Sequence, residues 1–176
     1  MVKEGAWFER TWSFELPVSA FPAVLERLRG TAARMTELIA GATDDQLRWH
    51  PSESWSAKRH LGHLDDLHAL DEHRLQEYLS GATLLTPADP RNRLTYETDH
   101  DAMPVEAIVA RFRAHRTQLV AEMESLVESQ IASTALHPRL RRPLRLIDWA
   151  YFVAEHDDHH LAAARQALTK SVFAKA

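Results

Sequence analysis

The 176-residue sequence contains no cysteine. This absence excludes disulfide bonds, thiolate metal ligands and a thiol nucleophile supplied by the protein itself. It fits a reducing compartment, so the expected location is the cytoplasm. Glycine and proline are also scarce, with 5 and 8 residues, which argues against a loop-rich or disordered chain.

Long hydrophobic runs and a surplus of positive charge are also missing. No stretch approaches the roughly 18 apolar residues of a transmembrane helix, so no membrane partner is expected. Met1–Arg10 has no apolar core, which predicts that it is not a secretory signal. The net charge of −4 does not favour a nucleic-acid partner. The basic cluster of Arg139, Arg141, Arg142 and Arg145 is interpreted as a solvated loop in preference to a phosphate site.

Four segments repeat their apolar residues with the period of an α-helix. They cover residues 20–40, 56–79, 104–127 and 147–168. Since no long strand-like alternation accompanies them, the sequence predicts an all-α protein, an up-down-type four-helix bundle. The length predicts a single domain over residues 1–176.

The connections between these helices also carry predictions. The connection 82–103, between the second and third helices, is long enough to cross the bundle end and cover a site, and the sequence leaves open whether it is a lid. The connector 129–146 contains two X-Pro breakers and predicts a short hairpin. The aromatic segment from Trp7 to Phe14 is expected to pack on the bundle, and any part left exposed would support a homodimer.

Histidine is abundant, with 11 residues. His156 and His160 are four residues apart and fall about 40° from each other at the centre of the fourth helix's apolar face. Buried imidazoles need polar partners, and this spacing occurs in helical His-x-x-x-His metal sites. The pattern supports a metal site and a pair of hydrogen-bonded core histidines about equally.

A metal site would need a third ligand from another helix, and the second helix offers four histidines. His60 lies within its apolar arc, while His63 lies at one margin and His68 towards the other. The helical wheel therefore leaves the choice between His60 and His63 open and mildly favours His60. His73 points away from the arc and is expected to be solvated.

The remaining histidines receive simpler interpretations. His50, His100 and His137 lie in predicted loops and are expected to be solvated. Either His115 or Arg116 falls on the third helix's apolar stripe, so one of them is expected to be a buried, paired polar group.

Several motifs together resemble the DinB-like family. They are Trp55-Ser56, Gly62-His63-Leu64, the connector Leu136-His137-Pro138-Arg139-Leu140, and Phe152-Val153-Ala154-Glu155-His156-Asp157-Asp158-His159-His160-Leu161-Ala162. The resemblance implies a four-helix bundle with one metal on three histidines, which map to His63, His156 and His160. It overrules the preference for His60, which becomes a neighbour of the site.

The resemblance also suggests chemistry. Three imidazoles suit a divalent ion, with zinc or nickel foremost and iron, cobalt or manganese as alternatives. Relatives of this fold include thiol S-transferases, metal-dependent hydrolases and isomerases, so the expected partners are a small-molecule substrate and a low-molecular-weight thiol. Asp66 could orient a ligand or accept a proton, although an exposed charge is the favoured interpretation; His68 stands where many relatives carry an acid.

Two other readings of the sequence stay open. In the first, the ion has a structural role only: it links the second helix to the fourth and catalyses no reaction. In the second, the protein binds no metal and acts through interactions in a stress response. An open coordination position favours the enzyme.

Overall fold

The structure is a computed structural model that describes residues 7–51 and 54–174. Residues 1–6, which carry most of the segment predicted not to be a secretory signal, lie outside the described residues. The described chain is mostly helical, and its α-helices are α1 (Phe21–Arg29), α2 (Thr31–Ile39), α3 (Asp44–Arg48), α4 (Ala57–Asp66), α5 (His68–Leu79), α6 (Arg93–Glu97), α7 (Val105–Glu124), α8 (Glu128–Ile131) and α9 (Leu146–Ala174).

The four predicted helical segments are present, although two of them are interrupted. Gly30 separates α1 from α2, and Leu67 separates α4 from α5. At the second break, Nδ1 of His68 lies 2.8 Å from the carbonyl oxygen of Asp65. Because a side chain that bonds to the backbone in this way competes with the helical hydrogen-bond ladder, it helps to account for the interruption. The last helix reaches Ala174, beyond the predicted end at residue 168.

Several helices pack against α9, the longest of the described helices. α4 lies against α9 and α7, while α1 and α2 contact α7 and α9. One apolar cluster surrounds the fully buried Trp149, and a second surrounds Phe112. Together they form the interior that holds α4 beside α9. None of the described helices has the length and apolar content needed to cross a membrane.

The connector between α8 and α9 forms the predicted hairpin. Strands β1 (Thr134–His137) and β2 (Arg142–Arg145) pair antiparallel, with Thr134 opposite Arg145. The connection 82–103 runs beside this hairpin, since the amide of Leu85 donates to the carbonyl of Leu136 at 3.0 Å. The same connection contains α6 and a 3-10 turn at His100–Ala102.

The N-terminal aromatic segment packs on its own chain, as expected. Trp7 and Phe14 are buried against Leu144 and Phe152. They therefore do not supply the exposed apolar surface on which the homodimer expectation relied. Phe8 differs from them, with 70% of its surface exposed.

A buried ion pair lies inside the bundle next to the histidine pair. Asp157 is completely buried. Its carboxylate accepts a hydrogen bond from Nη2 of Arg116 at 3.0 Å and another from Oγ1 of Thr31 at 2.9 Å. The expectation of one buried, paired polar group on α7 is therefore confirmed for Arg116. This pair ties α9 to α7 and α2 one residue away from His156.

Candidate metal centre

Three histidines from two helices converge on one point. His156 and His160 project from one face of α9, and His63 faces them from α4. One ring nitrogen from each histidine lies within 4.8 Å of the other two. The two Nε2 atoms of His156 and His160 are 3.2 Å apart. The structure thus brings together the three residues that the family resemblance implies.

These imidazoles are neutral near pH 7, so their lone pairs are available to a ligand. Burial lowers the pKa of His63 to about 4, against a smaller opposite effect of Asp66. Burial and the neighbouring histidines lower the pKa values of His156 and His160 well below 6.5. Three neutral imidazoles around one point form a donor set that fits a divalent first-row transition metal.

Thr95 on α6 determines which nitrogen of His63 faces the other histidines. Oγ1 of Thr95 donates its hydrogen to Oδ2 of Asp66 at 2.8 Å. The same oxygen lies 2.9 Å from Nδ1 of His63. Since the threonine hydrogen is already used, Nδ1 of His63 must be the donor. Nε2 of His63 therefore carries the lone pair, in the arrangement that orients histidine metal ligands.

Asp66 is anchored from a second side by His100. Nε2 of His100 lies 3.0 Å from Oδ2 of Asp66. Burial alone would raise the pKa of Asp66, but hydrogen bonds from His100 and Thr95 outweigh it and lower that pKa. The interpretation of Asp66 as an exposed charge is wrong, because its side chain is only 10% exposed. It acts on His63 through Thr95.

The solvated positions expected for His100 and His137 are also wrong. His100 is completely buried and His137 is 2% exposed. The connection 82–103 carries the first against α4, and the hairpin carries the second against Phe152. In contrast, His73 is exposed as expected, with 60% of its side chain accessible, and so is His50.

Gly62 allows His100 to reach Asp66. A Cβ atom at position 62 would lie 2.2 Å from Nδ1 and 2.4 Å from Cγ of the His100 ring. Ordinary van der Waals contacts are well over 3 Å. The glycine of the Gly62-His63-Leu64 motif thus has a steric role, and the motif couples a ligand to its own support.

Gly62→Ala is expected to destabilise the protein by about 1–3 kcal/mol, because the His100 ring must leave its buried position. Urea unfolding would measure the change. Gly30→Ala is the comparison variant and should cost less, since a Cβ there would lie 3.3 Å from its nearest atom, the carbonyl oxygen of Glu26. Equal stability of the Gly62→Ala variant and the wild type would contradict the steric argument.

His60 lies at the back of the histidine group. Its Nδ1 is 2.9 Å from Nδ1 of His160, while Nε2 of His160 faces His156. Burial lowers the pKa of His60 to about 3. The Trp55 ring packs against the His60, His63 and His160 rings, with centroids 5.0–5.8 Å away. His60 thus contacts a proposed ligand from the side away from the other two.

A second acid–histidine cluster has less suitable geometry. Asp65, His68 and His115 place potential ligand atoms within 4.8 Å of one another. However, the two rings are stacked 3.6 Å apart and almost parallel, at 7°, so their in-plane lone pairs do not converge on one ion. The Asp65 carboxylate is already bonded to His115 and Arg111, each at 2.9 Å. This cluster is better described as a hydrogen-bonded ionic group.

A cavity of about 560 Å³ adjoins the three histidines. Helices α4, α5, α7 and α9 form part of its wall, and segments outside these helices form the rest. These segments contribute Trp7 and Phe8 from the N-terminal region, residues 87–90 from the connection, and His137, Pro138 and Arg139 from the hairpin. The histidine group is therefore accessible from a cavity large enough for a small molecule.

Sequence reasoning missed three of the residues that support this site. Thr95 gave no signal, because a threonine in a polar loop is ordinary. His100 was noticed but interpreted as solvated. Trp55 belonged to a motif used for the resemblance, yet the pattern did not predict its stacking on three histidine rings.

Comparisons with known proteins agree with this architecture. The family model described as the DinB superfamily matches residues 27–164. Among solved structures, YfiT from Bacillus subtilis, described as a probable metal-dependent hydrolase with an unusual four-helix bundle topology, is similar with a TM-score of 0.79. The two are 18% identical, and the match covers 92% of this chain and 93% of YfiT. The prediction of an all-α four-helix bundle is confirmed.

A second similar structure is a mycothiol-dependent maleylpyruvate isomerase, with a TM-score of 0.66 and 11% identity. The match covers 85% of this chain and 61% of the isomerase. A search of curated proteins finds no match. Since the family model spans most of the sequence, including the three converging histidines, this chain belongs to the DinB superfamily.

Proposed function

We propose that this protein is a metal-dependent enzyme that acts on a small molecule in the cavity. His63, His156 and His160 hold one divalent ion, with zinc or nickel foremost and iron, cobalt or manganese as alternatives. The observation that carries this proposal is the convergence of three neutral imidazoles at the cavity wall. Three protein ligands leave a coordination position open, as in catalytic sites.

The surrounding residues have distinct tasks in this proposal. Thr95 and Asp66 hold His63 in one tautomer, and Trp55 shields three histidine rings from water. An ion bound here would lower the pKa of a coordinated water or polarise a substrate oxygen or thiolate.

Asp71 also lines the cavity and suits proton transfer. Burial raises its pKa to about 6, although Arg116 and Arg74 oppose the shift. A carboxyl group with such a pKa can hold or release a proton near neutral pH. Asp71 is therefore the proposed general acid or base.

Hydrolysis is the reaction class that we propose first, because the structure that matches over most of both chains is described as a metal-dependent hydrolase. Thiol-dependent transfer is the second candidate, supported by the mycothiol-dependent isomerase. Since the chain has no cysteine, the thiol would have to come from a low-molecular-weight cofactor. A screen of small esters and amides, with and without such thiols, separates the two.

Metal content measured by elemental mass spectrometry tests the proposal. The wild type is expected to hold about one equivalent of a divalent ion, because three neutral imidazoles bind such ions well. His63→Ala and His156→Ala should lose it. His60→Ala is the matched control and should keep it, since this ring lies behind His160. No retained metal after exposure to zinc or nickel would refute the enzyme proposal, and loss in His60→Ala alone would refute the ligand assignment.

A further inference from the structure

Part of the cavity wall carries two arginines and a buried histidine. We call Arg74, His137 and Arg139 the cationic wall; all three line the cavity. Arg139 projects from the hairpin, and its guanidinium lies 5.3 Å from the ring centre of Trp7 and 5.1 Å from that of Phe152. Within residues 7–51 and 54–174, no carboxylate forms an ion pair with Arg139. Its guanidinium lies against aromatic rings instead.

Arg74 is a second guanidinium in the wall, with its pKa lowered by burial against the opposing charges of Asp71 and Glu77. It is almost completely buried, and its Nε and Nη2 both donate to the carbonyl oxygen of Thr86, at 2.9 and 2.7 Å. A carbonyl accepts these hydrogen bonds but does not neutralise a full charge. Burial and the nearby Arg74 lower the pKa of Arg139. The charge of Arg74 thus acts on Arg139 across the wall.

His137 contributes a buried donor that has no partner. The amide of Leu140 donates to Nδ1 of His137 at 3.3 Å. Burial, together with Arg74 and Arg139, lowers the pKa of His137 to about 3, so the ring is neutral. Its one hydrogen must therefore be on Nε2. Nε2 is buried and makes no hydrogen bond within the part of the chain that the structure describes.

The ion pairs that acids form around the cavity are with other arginines, not with Arg139. Asp157 is bonded to Arg116, and Asp71 lies 3.9 Å from the other Nη atom of the same arginine. Asp89 is paired with Arg93 at 2.8 Å. Among residues 7–51 and 54–174, Arg139 is thus the arginine of the wall whose guanidinium has neither a carboxylate partner nor a nearby opposing acid.

We propose that the cationic wall binds a carboxylate group of the substrate, with the Arg139 guanidinium and the Nε2–H of His137 as donors. A guanidinium fits the planar carboxylate with two parallel hydrogen bonds. The remainder of the substrate would lie against the aromatic rings of Trp7 and Phe152. This inference rests on the proposed function, and it narrows the substrate class to small organic acids.

The position of Trp7 connects the cationic wall to the histidine group. The Trp7 ring contacts the His156 ring, with centroids 4.9 Å apart, and Arg139 lies against the same indole. One aromatic side chain thus separates the proposed carboxylate site from a proposed metal ligand. A short organic acid bound at the cationic wall would therefore have its reactive group on the side of Trp7 where His156 lies.

Paired titrations with phenylacetate and its neutral isostere phenylacetamide test the proposal. Calorimetry would use the protein as purified and again after chelator treatment, so that a carboxylate bound to the ion is distinguished from one bound to the wall. The wild type is expected to prefer the acid by about tenfold in both states. Arg139→Gln and His137→Phe should reduce this preference, while Arg139→Lys should keep part of it.

Arg142→Gln is the matched control, because Arg142 lies on the same hairpin but stacks on Phe14 outside the cavity. It should retain the full preference, and thermal melts would establish that every variant is folded. The proposal is overturned by equal affinity for acid and amide, by no binding of phenylacetate, acetate or butyrate, or by a preference that disappears with the metal. A protein that binds no metal but keeps the preference would refute the enzyme proposal alone.

Discussion

Acidification of the metal-free protein from about pH 7 to about pH 4 is expected to unfold it cooperatively, because buried neutral histidines resist protonation only in the folded state. Burial lowers the pKa values of His60 and His137 to about 3 and that of His63 to about 4. In the unfolded chain these groups bind protons near pH 6.5. The unfolded state therefore takes up more protons as the pH falls through this window.

The expected loss is large. Each such histidine removes about 1.4 kcal/mol of stability per pH unit below about 6.5, so three of them remove about 10 kcal/mol by pH 4. His156 and His160 act in the same direction. Asp71 opposes them, because its raised pKa favours the folded state in acid. The net loss is comparable with the whole free energy of unfolding of a typical domain, about 5–15 kcal/mol.

Far-UV circular dichroism against pH would measure this transition. His60→Gln should move the midpoint to lower pH, since it removes one of the proton-binding groups from the unfolded chain. His73→Gln is the control, because the His73 side chain is largely exposed, and its midpoint should match the wild type. A metal-free protein that keeps its helix content and melting temperature at about pH 4 would show that these histidines do not govern acid stability.

Asp157→Ala is expected to cost about 3–5 kcal/mol of stability, because it leaves the charge of Arg116 buried without its hydrogen-bonded partner. Asp71, at 3.9 Å, is too far to replace that hydrogen bond. Denaturant unfolding would measure the loss. A double variant, Arg116→Met with Asp157→Leu, should recover much of it, since apolar side chains can replace a buried ion pair.

The neighbouring Asp158 gives a matched control on the same helix. Its carboxylate pairs with Arg27 and Arg34 at the surface, where a third of its side chain is exposed. Because water screens such pairs, Asp158→Ala should cost at most about 1 kcal/mol. Similar losses for the two aspartates would mean that burial does not set the energy of the Arg116–Asp157 pair.

The bundle could be predicted from sequence because helical periodicity is a local property. An apolar face repeats within each segment, and its burial follows wherever the partner helix lies. The break at Leu67 was not predictable in this way. It involves a single contact between the ring of His68 and the backbone of Asp65.

The site was only partly predictable for a related reason. The spacing of His156 and His160 places both rings on one face of any helix. A helical wheel, however, reports burial and not which atoms lie opposite, so it could not choose between His60 and His63. Only the resemblance to the DinB-like family implied His63.

His100 and His137 were misjudged because loop residues were assumed to face water. Both positions are set by contacts with distant parts of the chain. The first lies on a connection that packs on α4 beside Gly62, and the second lies on a hairpin that packs on Phe152. Neither contact leaves a periodic pattern in the sequence.

The two sides of the cavity wall differ in how well they tolerate substitutions. The histidine side stands on α4 and α9, whose packing also holds the bundle together, so substitutions there disturb the whole fold. The other side consists of the N-terminal segment, the connection and the hairpin, where insertions and substitutions are better tolerated. Substitutions in these segments can thus change which molecules fit the cavity without altering the histidine group.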